Sequence, residues 1–316
     1  MKIAYLWIAL IVLSVTSLFV GVTDLTPLDL FGMTEYQWQV MSISRIPRLI
    51  SILIAGVGMS VIGLIMQQLA RNKFVSPSTA GTTDSASLGV LVAILLFPGA
   101  SPLFKVAVAF VFALAGTMLF MRILSKIQFR DPILIALVGL MFGGIVGSAT
   151  TFLALKYNLL QSVNSWLFGD FSSILKGRYE MLYVSIPLIA IAYLYANRFT
   201  IAGMGEEFAV NLGLKYRQVV NLGLGIVALV SAVILLTVGS LPFLGLIIPN
   251  LVSLYKGDNL KSSLPHTALL GAVFVLACDI LGRVLIYPYE ISIGLMVGVI
   301  GSGIFLYLLL RRKSHV

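Results

Sequence analysis

Residues 203–219 read GMGEEFAVNLGLKYRQV, and both flanks are close to pure hydrocarbon: SIPLIAIAYLYA at 185–196 and LGLGIVALVSAVILLTVG at 222–239. Apolar stretches of this kind approach the ~20 residues that carry a helix across a bilayer. Two adjacent glutamates, two cations and helix-breaking glycines are too polar for the hydrocarbon layer. The island is therefore a water-exposed loop between two membrane-crossing helices.

The same alternation runs through the whole chain. Of 316 residues, 59% are hydrophobic and 10% charged, against about 25% charged in a soluble domain. Dividing at the polar breaks gives apolar segments at 3–22, 49–70, 85–97, 106–121, 133–155, 181–197, 219–238, 245–255, 267–286 and 291–310. The expected fold is an all-α polytopic membrane protein of about ten transmembrane helices, forming one domain over 1–316 with a cytoplasmic loop at 199–218. The N-terminal apolar run is read as a retained first span, because no clear small-residue cleavage site ends it. The breaks at 23–48 and 156–180 are too short for a soluble domain, and no GxxxxGK[ST] phosphate loop occurs. The chain is thus not expected to hydrolyse ATP, and we read it as a non-enzyme. Its one cysteine, Cys278, can form no intrachain disulfide, and His266 and His315 lie far apart. No metal site of the usual kind is expected.

The net charge of +9 would suggest nucleic acid in a soluble protein. In a membrane protein, lysines and arginines mark cytoplasmic loops instead. With the N-terminus inside, fourteen fall on the inner side, Arg130, Arg311, Arg312 and Lys313 among them, and seven on the outer. That bias predicts cytoplasmic N- and C-termini and places the 203–219 island in the cytoplasm, with no nucleic-acid partner.

Two spans carry small residues at four-residue spacing: Gly139, Gly143 and Gly147, then Gly294, Gly298 and Ser302. Such stripes serve close helix packing or line a pathway whose wall can slide, and spacing does not choose. Ion-driven carriers need ionisable groups at membrane depth. Asp84 reads as a helix N-cap and Asp279 as the i,i+4 partner of Arg283, so no proton relay stands out. On the outer side, SRIPRLI at 44–50 opens the second span with Arg45 and Arg48 around Pro47. These arginines, with Arg283, either snorkel to lipid phosphates or grip the carboxylates of an acidic partner. In the island, GEEFAVNLGL forms a short amphipathic helix with Glu206 and Glu207 in its first turn, Phe208 and Leu212 on one side, and Gly213 as a left-handed cap. LKYRQV reads as a second short helix. Acidic residues are repelled by anionic lipid, so a groove on another protein fits this loop better than the membrane surface.

These stretches resemble the iron-siderophore and vitamin B12 permeases of ABC importers. Glu207, Ala209 and Gly213 match that family's E-x-A-x-x-x-G loop, with Gly205 and Glu206 just before them. SRIPRLI with GVGMSVIGLIMQQLARNKFVSPSTAGTTDSASLG, NSWLFGDF, SLPFLGLIIPNLVSLYKGDNLKSSLP and YPYEISIGLMVGVIG are similar to its other signatures, in the same order. In detail the chain is similar to catecholate-type permeases of Gram-positive bacteria, those for petrobactin among them. Asn250 stands where the family often has histidine, and Ser85 where it often has glycine.

The resemblance implies a type II ABC-importer permease in a bacterial plasma membrane. It implies a second permease subunit, identical or related, and two ATP-binding cassette ATPase subunits beneath. An external binding lipoprotein would deliver an iron(III)–siderophore, with no cofactor held by the permease itself. It implies that the 205–213 loop couples to the ATPase and that Arg45, Arg48 and Arg283 dock the binding protein. Asn72 and Phe74 would form the inner-gate turn, and the spans bearing Gly139, Gly143, Gly147, Gly294 and Gly298 would line the pathway. An ion-coupled secondary transporter and a non-transporting scaffold remain the alternatives.

Overall fold

The computed structural model describes residues 2–21, 26, 32–127 and 131–312. Arg130, Lys313 and the side chains of Trp166, Arg311 and Arg312 lie outside the described residues. Each expected apolar segment has a helical counterpart. Helix α1 spans Ile3–Phe19. A short α2, Glu35–Val40, passes through a π-helical turn at Met41–Arg45 into α3, Ile46–Leu69. Then come α4 (Thr82–Leu96), α5 (Pro102–Lys126), α6 (Pro132–Lys156) and the short α7 (Leu160–Leu167). A 3-10 turn at Glu180–Val184 leads into α8 (Ser185–Leu194), followed by α9 (Ala196–Gly203) and α10 (Glu206–Asn211). Helices α11 (Tyr216–Thr237), α12 (Leu244–Lys256), α13 (Leu260–Val284) and α14 (Ile293–Arg312) complete the chain.

By length and composition, five helices can cross a membrane, and the pair 180–194 and 196–203, bent by 63°, makes a sixth. Helices α1, α4, α12 and residues 293–307 of α14 are shorter apolar helices. Helix α2 lies in the polar break at 23–48, outside the expected spans. Its signal is a capping box, Thr34-x-x-Gln37: the Thr34 N–H donates to Gln37 Oε1 at 2.9 Å and the Gln37 N–H to Thr34 Oγ1 at 3.3 Å.

Helix α3 is the central post, packed against α11, α12 and α13. Helix α4 packs on α5 and α6, and α11 closes onto α5. Cys278 is buried in this core. A close backbone-to-backbone approach joins α3 and α12. A Cβ added at Gly63 would collide with the carbonyl oxygen and Cα of Gly245. Backbone cannot rotate away as a side chain can, so the helices would have to part. Gly63→Ala is expected to lower the thermal midpoint of the purified chain in detergent, through an overpacking penalty of about 1–3 kcal/mol. Gly144→Ala is the control, because nothing lies within 4 Å of the added atom and its midpoint should hold or rise.

Two local readings are corrected. Asp84 does not cap α4. The N-cap is Gly81, at φ +72°, and the Thr82 N–H finds the Pro77 carbonyl at 3.0 Å, so the loop backbone satisfies this helix start. The Asp84 carboxylate lies against α6 instead, where a Cβ on Gly143 would approach its Oδ2 to 2.7 Å. The segment LKYRQV is not a separate short helix. Tyr216 opens α11 directly, because no breaker follows Lys215 and the apolar positions run on unbroken.

Candidate functional site

At one end of the bundle, α10 is a helix with almost nothing of its own chain around it. Ala209 is its one buried residue, facing inward, while Glu206 and Glu207 are exposed, as are Phe208 at 50%, Val210 at 55% and Leu212 at 59%. The glutamates occupy the first turn, where negative charge meets the positive end of the helix dipole. Gly213 turns the chain at φ +76°. Gly205 begins the loop at φ +119°, a backbone that side chains other than glycine's resist. Acids in the first turn and large apolar side chains along the flank form a surface that, among the described residues, mainly α9 and the start of α11 border.

Beside α10 lies the turn between α3 and α4, which holds Asn72 and Phe74. Asn72 Nδ2 donates to the Pro132 carbonyl at 2.9 Å, at the start of α6, and Asn72 Oδ1 accepts from the Phe74 N–H at 2.8 Å. The Phe74 ring meets Phe305 of α14 edge-on at 6.1 Å. One turn thus touches both helices that carry the small-residue stripes. Asn250 joins it from α12, donating to the Lys73 carbonyl at 2.8 Å. A cleft of about 460 Å³ opens beside this turn, lined by Gln68, Arg71, Asn72, Gly203, Met204 and Asp258 among others.

The stripes themselves are tightly seated. A Cβ on Gly139 would collide with the Thr79 carbonyl, Gly143 and Gly147 face Asp84, and a Cβ on Gly294 would lie 2.8 Å from the Gly169 nitrogen. Gly298 has more room, with Pro242 Cγ 3.6 Å from an added Cβ. Close packing accounts for the small residues at 139, 143 and 294. The other face of α6, with Leu140, Met141, Ile145 and Phe152, is exposed.

At the opposite end, Arg45, Arg48 and Arg283 come together, with partners the sequence reading named only in part. Arg48 donates through Nη2 to Asp279 Oδ1 at 2.8 Å and through Nη1 to Glu290 Oε2 at 2.8 Å. Arg283 pairs with Asp279 Oδ2, the expected i,i+4 contact, and also donates to the carbonyls of Ser17 at 3.0 Å and Val20 at 2.9 Å. Arg45 Nη1 donates to the Leu18 carbonyl at 2.6 Å. Two guanidinium groups therefore cap the C-terminal end of α1, where orphan carbonyls and the negative end of the dipole favour cations. Arg45 and Arg283 are buried, and so is Asp279; Glu290 is the most open member, its side chain 27% exposed. The glutamate of YPYE was the available signal for this cluster, but nothing in the sequence tied it to Arg48, 242 residues away.

Among the described residues, no three of His, Cys, Asp and Glu gather closely enough to hold a metal ion. The notable features are an exposed short helix at one end of a helical bundle and a network of ion pairs at the other.

The chain belongs to the FecCD transport family, whose model matches residues 9–311. It is 67% identical over 315 residues, covering all of both chains, to the petrobactin import system permease protein YclN of Bacillus subtilis. It is 40% identical to the ferric-anguibactin transport system permease protein FatD of Vibrio anguillarum, over 96% of this chain and 97% of that one. Among solved structures it resembles a metal-chelate type ABC transporter in an inward-facing conformation, with a TM-score of 0.81, 26% identity and 97% of each chain covered. The chain is accordingly a membrane permease subunit of an ABC importer, a transport component and not an enzyme.

Proposed function

We infer that this permease passes an iron(III)–siderophore of the petrobactin class from an external binding protein into the cytoplasm, driven by a separate ATPase. The observation that carries the reading is α10, a helix tipped with two acids and flanked by exposed apolar side chains, which its own chain leaves uncovered. An ATPase groove is the partner that fits it. Closure of the two ATPases on ATP drags α10 with them, and the bundle changes between outward-open and inward-open packing. The permease works as a pair with a second copy or a related chain. Both termini lie in the cytoplasm, a placement the bias of basic residues supports. The iron stays chelated throughout, so it needs no ligands from the protein.

The outer cluster receives the binding protein. Arg48 and Glu290 stand at its rim, with Arg45 and Arg283 behind them holding the end of α1. Such rim charges tune encounter rate and register more than affinity. The likeness to a petrobactin permease at 67% identity supports the substrate class.

Two measurements test the reading. The chain, tagged and solubilised gently, is expected to co-purify with an ATPase subunit. In cells lacking it, re-expression is expected to restore uptake of iron-loaded petrobactin, and that uptake should stop on ATP depletion and persist under a protonophore while ATP is maintained. Collapse with the protonophore at full ATP would overturn the proposal in favour of an ion-coupled carrier.

A further inference from the structure

The C-terminal end of α3 closes in a pattern that usually takes glycine. The Arg71 N–H donates to the Gln68 carbonyl at 3.1 Å and the Asn72 N–H to the Gln67 carbonyl at 2.9 Å. This is the two-bond helix stop whose turning residue is left-handed. Two other helices end the same way. After α10 the bonds are Gly213 N–H to Val210 at 2.8 Å and Leu214 N–H to Ala209 at 2.9 Å. After α6 they are Asn158 N–H to Leu155 at 3.2 Å and Leu159 N–H to Ala154 at 2.8 Å. The turning residues there are Gly213 and Asn158, at φ +76° and +57°, and glycine and asparagine are the types that tolerate this backbone. Arg71, at φ +49°, is the exception. A side chain kept where glycine would be at ease points to a use for the side chain.

The Arg71 guanidinium lies at the start of the α10 loop. A Cβ built on Gly205 would sit 3.0 Å from its Nη1, and a Cβ on Gly203 would collide with the Gln68 side-chain oxygen. The end of α3 therefore lies against the last residue of α9 and against the loop that follows it. From the same turn, bonds run onward. Asn72 holds the first residue of α6, Phe74 meets Phe305 of α14, and Lys73 pairs with Asp258 at 2.8 Å. The turn is a junction between the loop that leads into α10 and the two helices with small-residue stripes.

We propose that Arg71 is the positioning residue of this junction, transmitting displacement of α10 through the α3–α4 turn to α6 and α14. This rests on the reading that an ATPase grips α10. From this left-handed stop the Arg71 side chain reaches Gly205 and its neighbour Asn72 bonds Pro132, so one turn faces both ways. Glycine at 71 would keep the helix stop and lose the reach.

The test uses the importer complex isolated through a tag on this chain and reconstituted in proteoliposomes, with iron(III)-petrobactin as the probe and uptake per ATP hydrolysed as the readout. Arg71→Gly is expected to leave the thermal midpoint unchanged or raised while uptake per ATP falls at least fivefold. Arg71→Lys should recover most of the coupling. Arg71→Asn, whose backbone also accepts the left-handed turn, should behave like the glycine variant and serves if that variant fails to assemble. Wild-type uptake per ATP in the stable variants would overturn the proposal, as would a loss of uptake that only tracks a falling midpoint. Failure of the underlying reading has a different signature: Glu207→Arg would then transport normally.

Discussion

Glu207→Arg is expected to abolish coupled uptake, with a loss of tenfold or more, while the permease remains folded and inserted. Glu207 is exposed on α10 and makes no contribution to the core. Reversing its charge in the first turn removes a favourable dipole interaction of about 0.3–1 kcal/mol, too little to unfold a bundle packed around α3. In an interface, the same change sets a cation where the partner expects an anion, and like-charge juxtaposition there costs several kcal/mol. The check is to measure iron(III)-petrobactin uptake beside ATP hydrolysis and co-purification of the ATPase. Glu207→Gln should be milder, since it removes the charge without opposing it. Undiminished transport by the arginine variant would end the coupling role of α10.

Asp279→Ala is expected to destabilise the protein by about 3–5 kcal/mol, the range for stripping one partner from a buried ion pair. Asp279 is 3% exposed and its two oxygens serve Arg48 and Arg283 separately. Without it two guanidinium groups face each other beside the end of α1. Glu290→Ala removes only the open member of the same cluster, and a loss of about 0–1 kcal/mol is expected there. Thermal unfolding of the two purified variants in detergent separates them. Equal shifts would show that Asp279 is not the hub.

Much of this molecule could be read from residue types alone. Runs such as 222–239 have no other home than a bilayer, so every expected span found its helix. The 205–213 loop was legible because its acids, its apolar flank and its two glycines are close in sequence and obey local rules. The ion pairs were not. Asp279 and Arg283 are one turn apart and could be paired on spacing, but Arg48 reaches Asp279 across 231 residues. No periodicity reports such a contact. Asp84 misled for a related reason. Aspartate before an apolar run is a fair sign of a cap, yet here the Pro77 carbonyl already receives the first amide. The special backbone of Arg71 left no trace either, since the residue names what the position tolerates and not what it prefers.

Cys278, lone and 2% exposed, has a practical consequence. A maleimide dye or spin probe added to the native chain finds no accessible thiol, so the protein gives no background to thiol labelling as it stands. A reporter cysteine introduced at Leu212, the exposed residue that closes α10, would give a signal from that place alone, and the timing of its swing could be followed without rebuilding the interior.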